Sequence, residues 1–330
     1  MTTEPIQPIP IQPIPIRPKV VYSPGYDIRF WGLEKLHPFD SCKYGRTWQA
    51  LLNRFGDRLH NASITPASSA TLDMLRTIHT EDYLNQLKRS HSVAKALELA
   101  SLKFLPIGML DRAVLQPMRL ATMGTVIAAR TALSSGIAIN LSGGYHHASS
   151  DRGSGFCVYS DIAIAIALLR QSQRITNTDS IVIIDLDAHQ GNGLARIFAE
   201  DRTVHILDMY NQQIYPHDRQ AAQRINCPLP LLSGTQDSEY LGKLQEQLPT
   251  FLQQIRRPKI AFYNAGTDIY EDDPLGQLKV SQAGVLERDR FVFQTLMALR
   301  IPTVMVLSGG YTPTSYQLIV DSVADVLTIY

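Results

Sequence analysis

Residues 180–193 read Ser-Ile-Val-Ile-Ile-Asp-Leu-Asp-Ala-His-Gln-Gly-Asn-Gly, and they hold the densest chemistry in the chain. The apolar branched run Ile181 to Ile184 predicts a buried strand. Asp185, Asp187 and His189 follow at a spacing of two. In extended backbone, residues two apart point to the same side, so the three polar groups converge. Burying two carboxylates and an imidazole without partners is costly, and nothing about folding asks for it. A divalent cation offsets that cost, and oxygen-plus-nitrogen ligation without thiolate suits zinc, iron or manganese. A lone Asp-x-His reads equally well as a salt-bridged strand end with a satisfied histidine. Recurrence shifts the balance.

Ile137 to Leu141 is a second apolar run, and Ser142-Gly143-Gly144-Tyr145-His146-His147 follows it. Lys259 to Tyr263 leads into Asn264-Ala265-Gly266-Thr267-Asp268, and Thr303 to Leu307 into Ser308-Gly309-Gly310-Tyr311. Helix-like segments at 118–135, 160–171, 239–254, 281–299 and 313–327 lie between or beyond these runs. Apolar strands alternating with amphipathic helices predict an α/β fold: a central, mostly parallel sheet covered on both faces, in three layers. In such sheets the working site lies beyond the carboxyl ends of the strands. The four strand ends carry His-His, Asp-x-Asp-x-His, Asp and Tyr, the inventory of a metallohydrolase.

The remaining composition excludes more than it suggests. The chain has 330 residues, 45% of them apolar and 18% charged, with a formal net charge of +1. That balance is ordinary for a globular enzyme and leaves no basic footprint for nucleic acid. The longest apolar run, Ile162 to Leu169, is too short to span a bilayer. Cys42, Cys157 and Cys227 form no CxxC pair, which fits a reducing, cytoplasmic compartment. Residues 1–18 repeat Ile-Gln-Pro-Ile-Pro and end in Ile-Arg-Pro; proline this dense predicts a flexible extended tail, not a secretory signal. Residues 19–330 are expected to form one catalytic domain. A helix is expected to begin near Thr47, and 65–92 reads as helical with a break at His79-Thr80. Thr80 is placed to cap the second helix, and His79, following no strand end, reads as structural.

Taken in order, these motifs resemble a histone deacetylase of the class IV type, within the arginase/deacetylase fold. The carriers are His37-Pro38-Phe39-Asp40, His79-Thr80 with Tyr83-Leu84, Gly143-Gly144-Tyr145-His146-His147, and Ser150-Asp151-Arg152-Gly153 through Gly155-Phe156-Cys157. They continue with Asp185 to Gly193, Tyr263 to Asp268, and Ser308-Gly309-Gly310-Tyr311. The resemblance covers residues 19 to 327 and implies a zinc-dependent hydrolase that removes acetyl or longer acyl groups from the ε-amine of lysine in proteins or peptides. By position it makes Asp187, His189 and Asp268 the ligands of zinc, with iron(II) as the alternative metal. His146 and His147 become the tandem catalytic histidines, Asp185 the partner of His146, and Tyr311 the oxyanion donor. It also implies a structural potassium ion near Asp185. Gly155 would accept the substrate amide N–H through its carbonyl. Phe156, Tyr215 and Leu275 would line the channel for the acyl-lysine side chain.

Two departures from the class I pattern accompany this resemblance. Asn192 stands where an Asp would pair with the second histidine, which matches class IV and should leave His147 less basic. The glycine run before Tyr311 is also shorter. Within class IV, His217 stands where a glycine is expected. Other readings use the same residues. An opening of the same fold onto small acetylated amines such as polyamines is one, and a non-catalytic acyl-lysine scaffold another. A two-manganese ureohydrolase ranks low, because Gly191 occupies the place of its further Asp ligand. Substrate protein, acyl length and oligomeric state have no signature in the sequence.

Overall fold

The computed structural model describes residues 16–29 and 40–330. Most of the Pro-rich tail, and His37-Pro38-Phe39 of the first motif, lie outside the described residues. Eight strands form one sheet: β1 (Lys19–Val21), β2 (Ser63–Ile64), β3 (Ile137–Asn140), β4 (Ile181–Asp185), β5 (Val204–Asn211), β6 (Cys227–Leu231), β7 (Ile260–Asn264) and β8 (Thr303–Val306). Their order is β2-β1-β3-β8-β7-β4-β5-β6, and every pairing among them is parallel. The four apolar runs of the sequence are the four central strands. Every residue of β3, β4, β7 and β8 is buried, as expected where helices cover both faces.

The long helices match the predicted segments within a few residues: Gln116–Ser135, Asp161–Gln171, Asp237–Gln253, Gln282–Ala298 and Ser315–Ile329. The first two pack on each other, the last three pack in succession, and Lys43–Phe55 joins Ser315–Ile329. The result is the expected three-layer α/β/α arrangement. The helix expected near Thr47 starts earlier, at Lys43. The 65–92 region is three short helices, Leu72–Leu75, Glu81–Gln86 and Ser90–Ala96. Thr80 caps the second, its hydroxyl accepting from the Tyr83 N–H at 3.2 Å. His79 is buried and its Nε2 accepts from the Ser160 N–H at 3.0 Å, the structural use expected of it.

Register decides what the sheet offers at its carboxyl edge. Asp185, the last residue of β4, pairs with Asn264 on β7 and with Asp208 on β5. Three polar side chains therefore stand in one row where the strands end, and the loops beyond them build the site.

Candidate active site

Asp187, His189 and Asp268 come together beyond β4 and β7. One ligand atom from each lies within 4.8 Å of the other two, and all three residues are buried. His189 Nδ1 is 3.1 Å from Asp187 Oδ1 and 2.9 Å from Asp268 Oδ2. Backbone donors aim the carboxylates. Gly309 N–H donates to Asp187 Oδ2 at 2.8 Å, and Ala188 N–H to Asp268 Oδ1 at 2.9 Å. Two acids and an imidazole held this closely and buried from solvent fit a divalent cation that leaves a coordination position open. Protons alone make a strained substitute. Burial, then repulsion from Asp187, pushes Asp268 up to about 7. Burial works against a charged His189, yet the two carboxylates outweigh it and push the imidazole up to about 10.

The tandem histidines stand beside this cluster with their rings 4.0 Å apart. The backbone reaches them through Gly143 and Gly144, both at φ near +80°, a region side-chain-bearing residues avoid. Asp161 caps that turn by accepting from the Gly144 and Tyr145 N–H groups at 3.0 and 2.8 Å. His146 Nδ1 meets Asp185 Oδ2 at 2.8 Å, and His147 Nδ1 meets the Asn192 side-chain oxygen at 2.9 Å. An amide oxygen only accepts, so Nδ1 of His147 carries the proton and Nε2 keeps its lone pair. The neighbours drive the two pKa values apart. For His146, burial is outweighed by Asp185 and Asp187, which push it up to about 9. For His147, burial and the charges of His146 and His189 hold it well below the ordinary imidazole value. Such splitting is the mark of a site with divided acid and base roles.

Tyr311 faces inward. Its ring lies 6.0 Å from that of His189 and 6.0 Å from that of Phe156, edge-on to both. Burial and the nearby Asp268 and Asp187 keep its phenol protonated. Tyr215 sets its ring edge-on against His147 at 5.2 Å. Phe156 itself sits at φ +66°, an uncommon conformation for a bulky residue. Gly155 before it admits no side chain, because a Cβ would come within 2.3 Å of the His147 ring. The Gly155 carbonyl accepts from the Cys157 thiol at 3.3 Å and has a second lone pair to offer. Leu275 lies in the loop after Asp268, its N–H bound to Asp273 Oδ1 at 3.0 Å. It does not line the cavity described next, and neither does Tyr215.

His147, Phe156 and Tyr311 line a cavity of about 100 Å³ together with Gly155 and Asp187. Much of its lining is apolar: Ile28, Leu97, Leu99, Leu102, Val114 and Met118.

Several supporting residues carry no local signal in the sequence. Lys43 is fully buried and donates to the carbonyls of Ser308 and Gly309 at 2.8 and 2.9 Å. Burial pushes its ammonium down to about 8, against the pull of Asp268, Asp187 and Asp273. Asp273 Oδ2 accepts from the Tyr311 N–H at 2.8 Å and so pins the tyrosine turn. Asn264 donates to Asp185 Oδ1 at 2.8 Å. Asp208 faces Asp185, accepts from Gly191 N–H at 2.9 Å, and leaves its other oxygen buried without a hydrogen-bond partner.

Comparison with known proteins agrees with this geometry. A family model described as "Histone deacetylase domain" matches residues 37–327. The chain belongs to the histone deacetylase family. Histone deacetylase 2 of Arabidopsis thaliana is 43% identical over 304 residues, covering 92% of this chain and 77% of its own length. Two solved structures share the fold. The HDA15 HD domain aligns at TM-score 0.72 with 21% identity, over 94% of this chain and 87% of that one. A histone deacetylase homolog from Aquifex aeolicus aligns at TM-score 0.71 with 24% identity, over 94% and 84%. Among the described residues, no helix of this deacetylase-family chain is long and apolar enough to cross a membrane.

Proposed function

We propose that this histone deacetylase family member is a zinc-dependent lysine deacylase of the class IV type, acting on acyl-lysine in proteins or peptides. One observation carries the reading: the Asp187–His189–Asp268 cluster lies beside a neutral His147 and an inward Tyr311, and Asp187, His147 and Tyr311 line one largely apolar cavity. Asn192 as the partner of His147 supports the subclass.

Asp187, His189 and Asp268 would hold the zinc, which when bound supplies Lewis acidity towards the attacking water and the scissile carbonyl. The protein's own groups divide the remaining work. His147 Nε2 takes a proton from the attacking water and delivers it to the lysine nitrogen as the C–N bond breaks, and the new acid's remaining proton passes to the freed amine, leaving a carboxylate and an ammonium. His146, charged and held by Asp185, keeps positive potential beside the developing negative charge. The Tyr311 hydroxyl donates to the carbonyl oxygen as it becomes an oxyanion. Gly155 accepts the substrate amide N–H, and Phe156 and Tyr215, with Leu275 beyond, flank the lysine methylenes. The orphaned oxygen of Asp208 beside Asp185 fits a monovalent cation, and we assign the structural potassium ion there. We assign the chain, from residue 19 onward, to one catalytic domain working in the cytoplasm, a compartment that keeps thiols reduced.

The apolar lining of the cavity supports acyl chains longer than acetyl among the substrates. Leu97, Leu99, Leu102, Val114 and Met118 line it with Phe156 and Tyr311, and each methylene of a longer chain buried there would gain about 0.8 kcal/mol. The test is turnover of one lysine peptide carrying acetyl, octanoyl or myristoyl, with and without chelator and added Zn²⁺. The reading expects chelator-sensitive release with kcat/KM rising with chain length. Chelator-insensitive release would overturn the metal-dependent mechanism. A preference for acetyl would overturn the chain-length reading alone, and turnover confined to acetylated polyamines would overturn the substrate class.

A further inference from the structure

Against the loops that carry Asp187 and Asp268 lies a charged group that the mechanism does not use. Arg288, on the helix Gln282–Ala298, is fully buried. Its Nε donates to Asp289 Oδ1 at 2.7 Å. Asp289 is fixed in turn by short hydrogen bonds from the Tyr263 and Ser322 hydroxyls. The other edge of the guanidinium faces two carbonyls: one terminal nitrogen donates to Gly266 O at 2.6 Å and to Leu186 O at 3.2 Å.

Those two carbonyls belong to different loops. Leu186 sits between Asp185 and Asp187, and Gly266 two residues before Asp268. The loops touch directly, since a Cβ on Gly266 would come within 2.5 Å of the Asp187 carboxylate. Arg288 therefore bridges the backbone of both ligand-bearing loops at the point where they meet. A planar fork suits this task, because it reaches a carboxylate on one edge and carbonyls on the other without turning. A hydrophobic pair of similar volume would fill the core as well or better. Packing alone does not account for a charge here.

We propose that Arg288 is a positioning residue for the metal centre, setting the separation of Asp187 and Asp268 by clamping the carbonyls of Leu186 and Gly266. The proposal rests on the reading of Asp187, His189 and Asp268 as metal ligands.

The test uses the full chain loaded with Zn²⁺ or Co²⁺. Zn²⁺ affinity is measured by competition with a chromophoric chelator, the Co²⁺ site by its visible absorption, and folding by circular dichroism and urea melting. Asp268→Ala tests the underlying reading, and it should abolish the Co²⁺ spectrum. Arg288→Lys keeps the charge and loses the fork. Arg288→Met with Asp289→Asn removes both charges and keeps an amide for Tyr263 and Ser322. Both should fold, bind Zn²⁺ on the order of 10–100-fold more weakly, and shift the Co²⁺ bands. Arg288→Lys should be the milder of the two. Wild-type affinity and spectrum in both folded variants would overturn the clamp while leaving the metal reading intact. A wild-type chain that binds no Co²⁺, or an unaltered spectrum in Asp268→Ala, would overturn the metal reading first. Failure of both variants to fold would also count against the clamp, because it would make Arg288 a core residue.

Discussion

Replacing Asn192 by Asp puts the assignment of His147 at risk with one atom exchanged for another. The Asn192 oxygen lies 2.9 Å from His147 Nδ1, so an Asp carboxylate in the same rotamer would face the imidazole directly. A charge pair about 4 Å apart is worth about 4 kcal/mol at an effective dielectric constant near 20. The full amount is not available. The Asn192 amide nitrogen is 3.5 Å from Asp218 Oδ2, so the new carboxylate also meets an old one. Arg196 offsets part of that repulsion, because its Nε donates to the same Asp218 oxygen at 2.7 Å. What remains should raise the His147 pKa by about 1–2 units, or roughly 1.4–2.8 kcal/mol. The sign in the rate profile follows from the role. A base must be neutral when substrate binds, so a higher pKa moves the acid limb of kcat/KM against pH upward. The assay is that profile for both proteins on one acyl-lysine peptide at saturating Zn²⁺. An acid limb that does not move would show that His147 is not the titrating base. A shift confined to the alkaline limb would show that it works in its protonated form.

Other expectations follow from the same geometry. Tyr311→Phe should lower kcat and kcat/KM together by on the order of 10²-fold with KM and zinc content little changed, and a rise in KM alone would make the residue a pocket wall. Zn²⁺ affinity should rise between pH 6 and pH 8, because Asp268, pushed up to about 7, holds a proton below that range that the metal must displace. Calorimetry in buffers of different ionisation enthalpy should register that proton release, and its absence would contradict the shift. Met118→Trp takes up space in the cavity that Met118 lines and should cut myristoyl turnover more than acetyl turnover. Exposed His217 sits at φ +50°, so His217→Gly should stabilise by about 0.5 kcal/mol in urea melts, the relief of a left-handed backbone less the added freedom of the unfolded chain.

The central strands and the residues at their ends were legible because each apolar run and its polar terminus are adjacent in sequence. The edges were not. In β6, Cys-Pro-Leu-Pro-Leu, two prolines mask a strand that tolerates them because it lies at the edge of the sheet. In β5, His205 and Asp208 interrupt the apolar run, and Asp208 faces Asp185 only through sheet register. Strands β1 and β2 are three and two residues long, below any usable period. The site divided in the same way. His217, expected as glycine by resemblance, stands at a positive φ, the backbone reason a glycine would serve there. Lys43, Asp161, Asp273 and Arg288 act on backbone far away in the chain, and no local spacing announces such a partner.

Lys43 also sets a timetable for synthesis. Its carbonyl acceptors, Ser308 and Gly309, lie 265 and 266 residues downstream. At about 5–20 residues per second, the ribosome delivers them roughly 13–50 seconds after the lysine. Throughout that interval the ammonium has nowhere buried to go, because its native socket is made by chain not yet translated. The amino-terminal half therefore waits, unable to close over its own lysine, for the last strand to arrive. A nascent chain arrested before residue 308 should leave Lys43 open to amine-labelling reagents, and the released, folded protein should shield it.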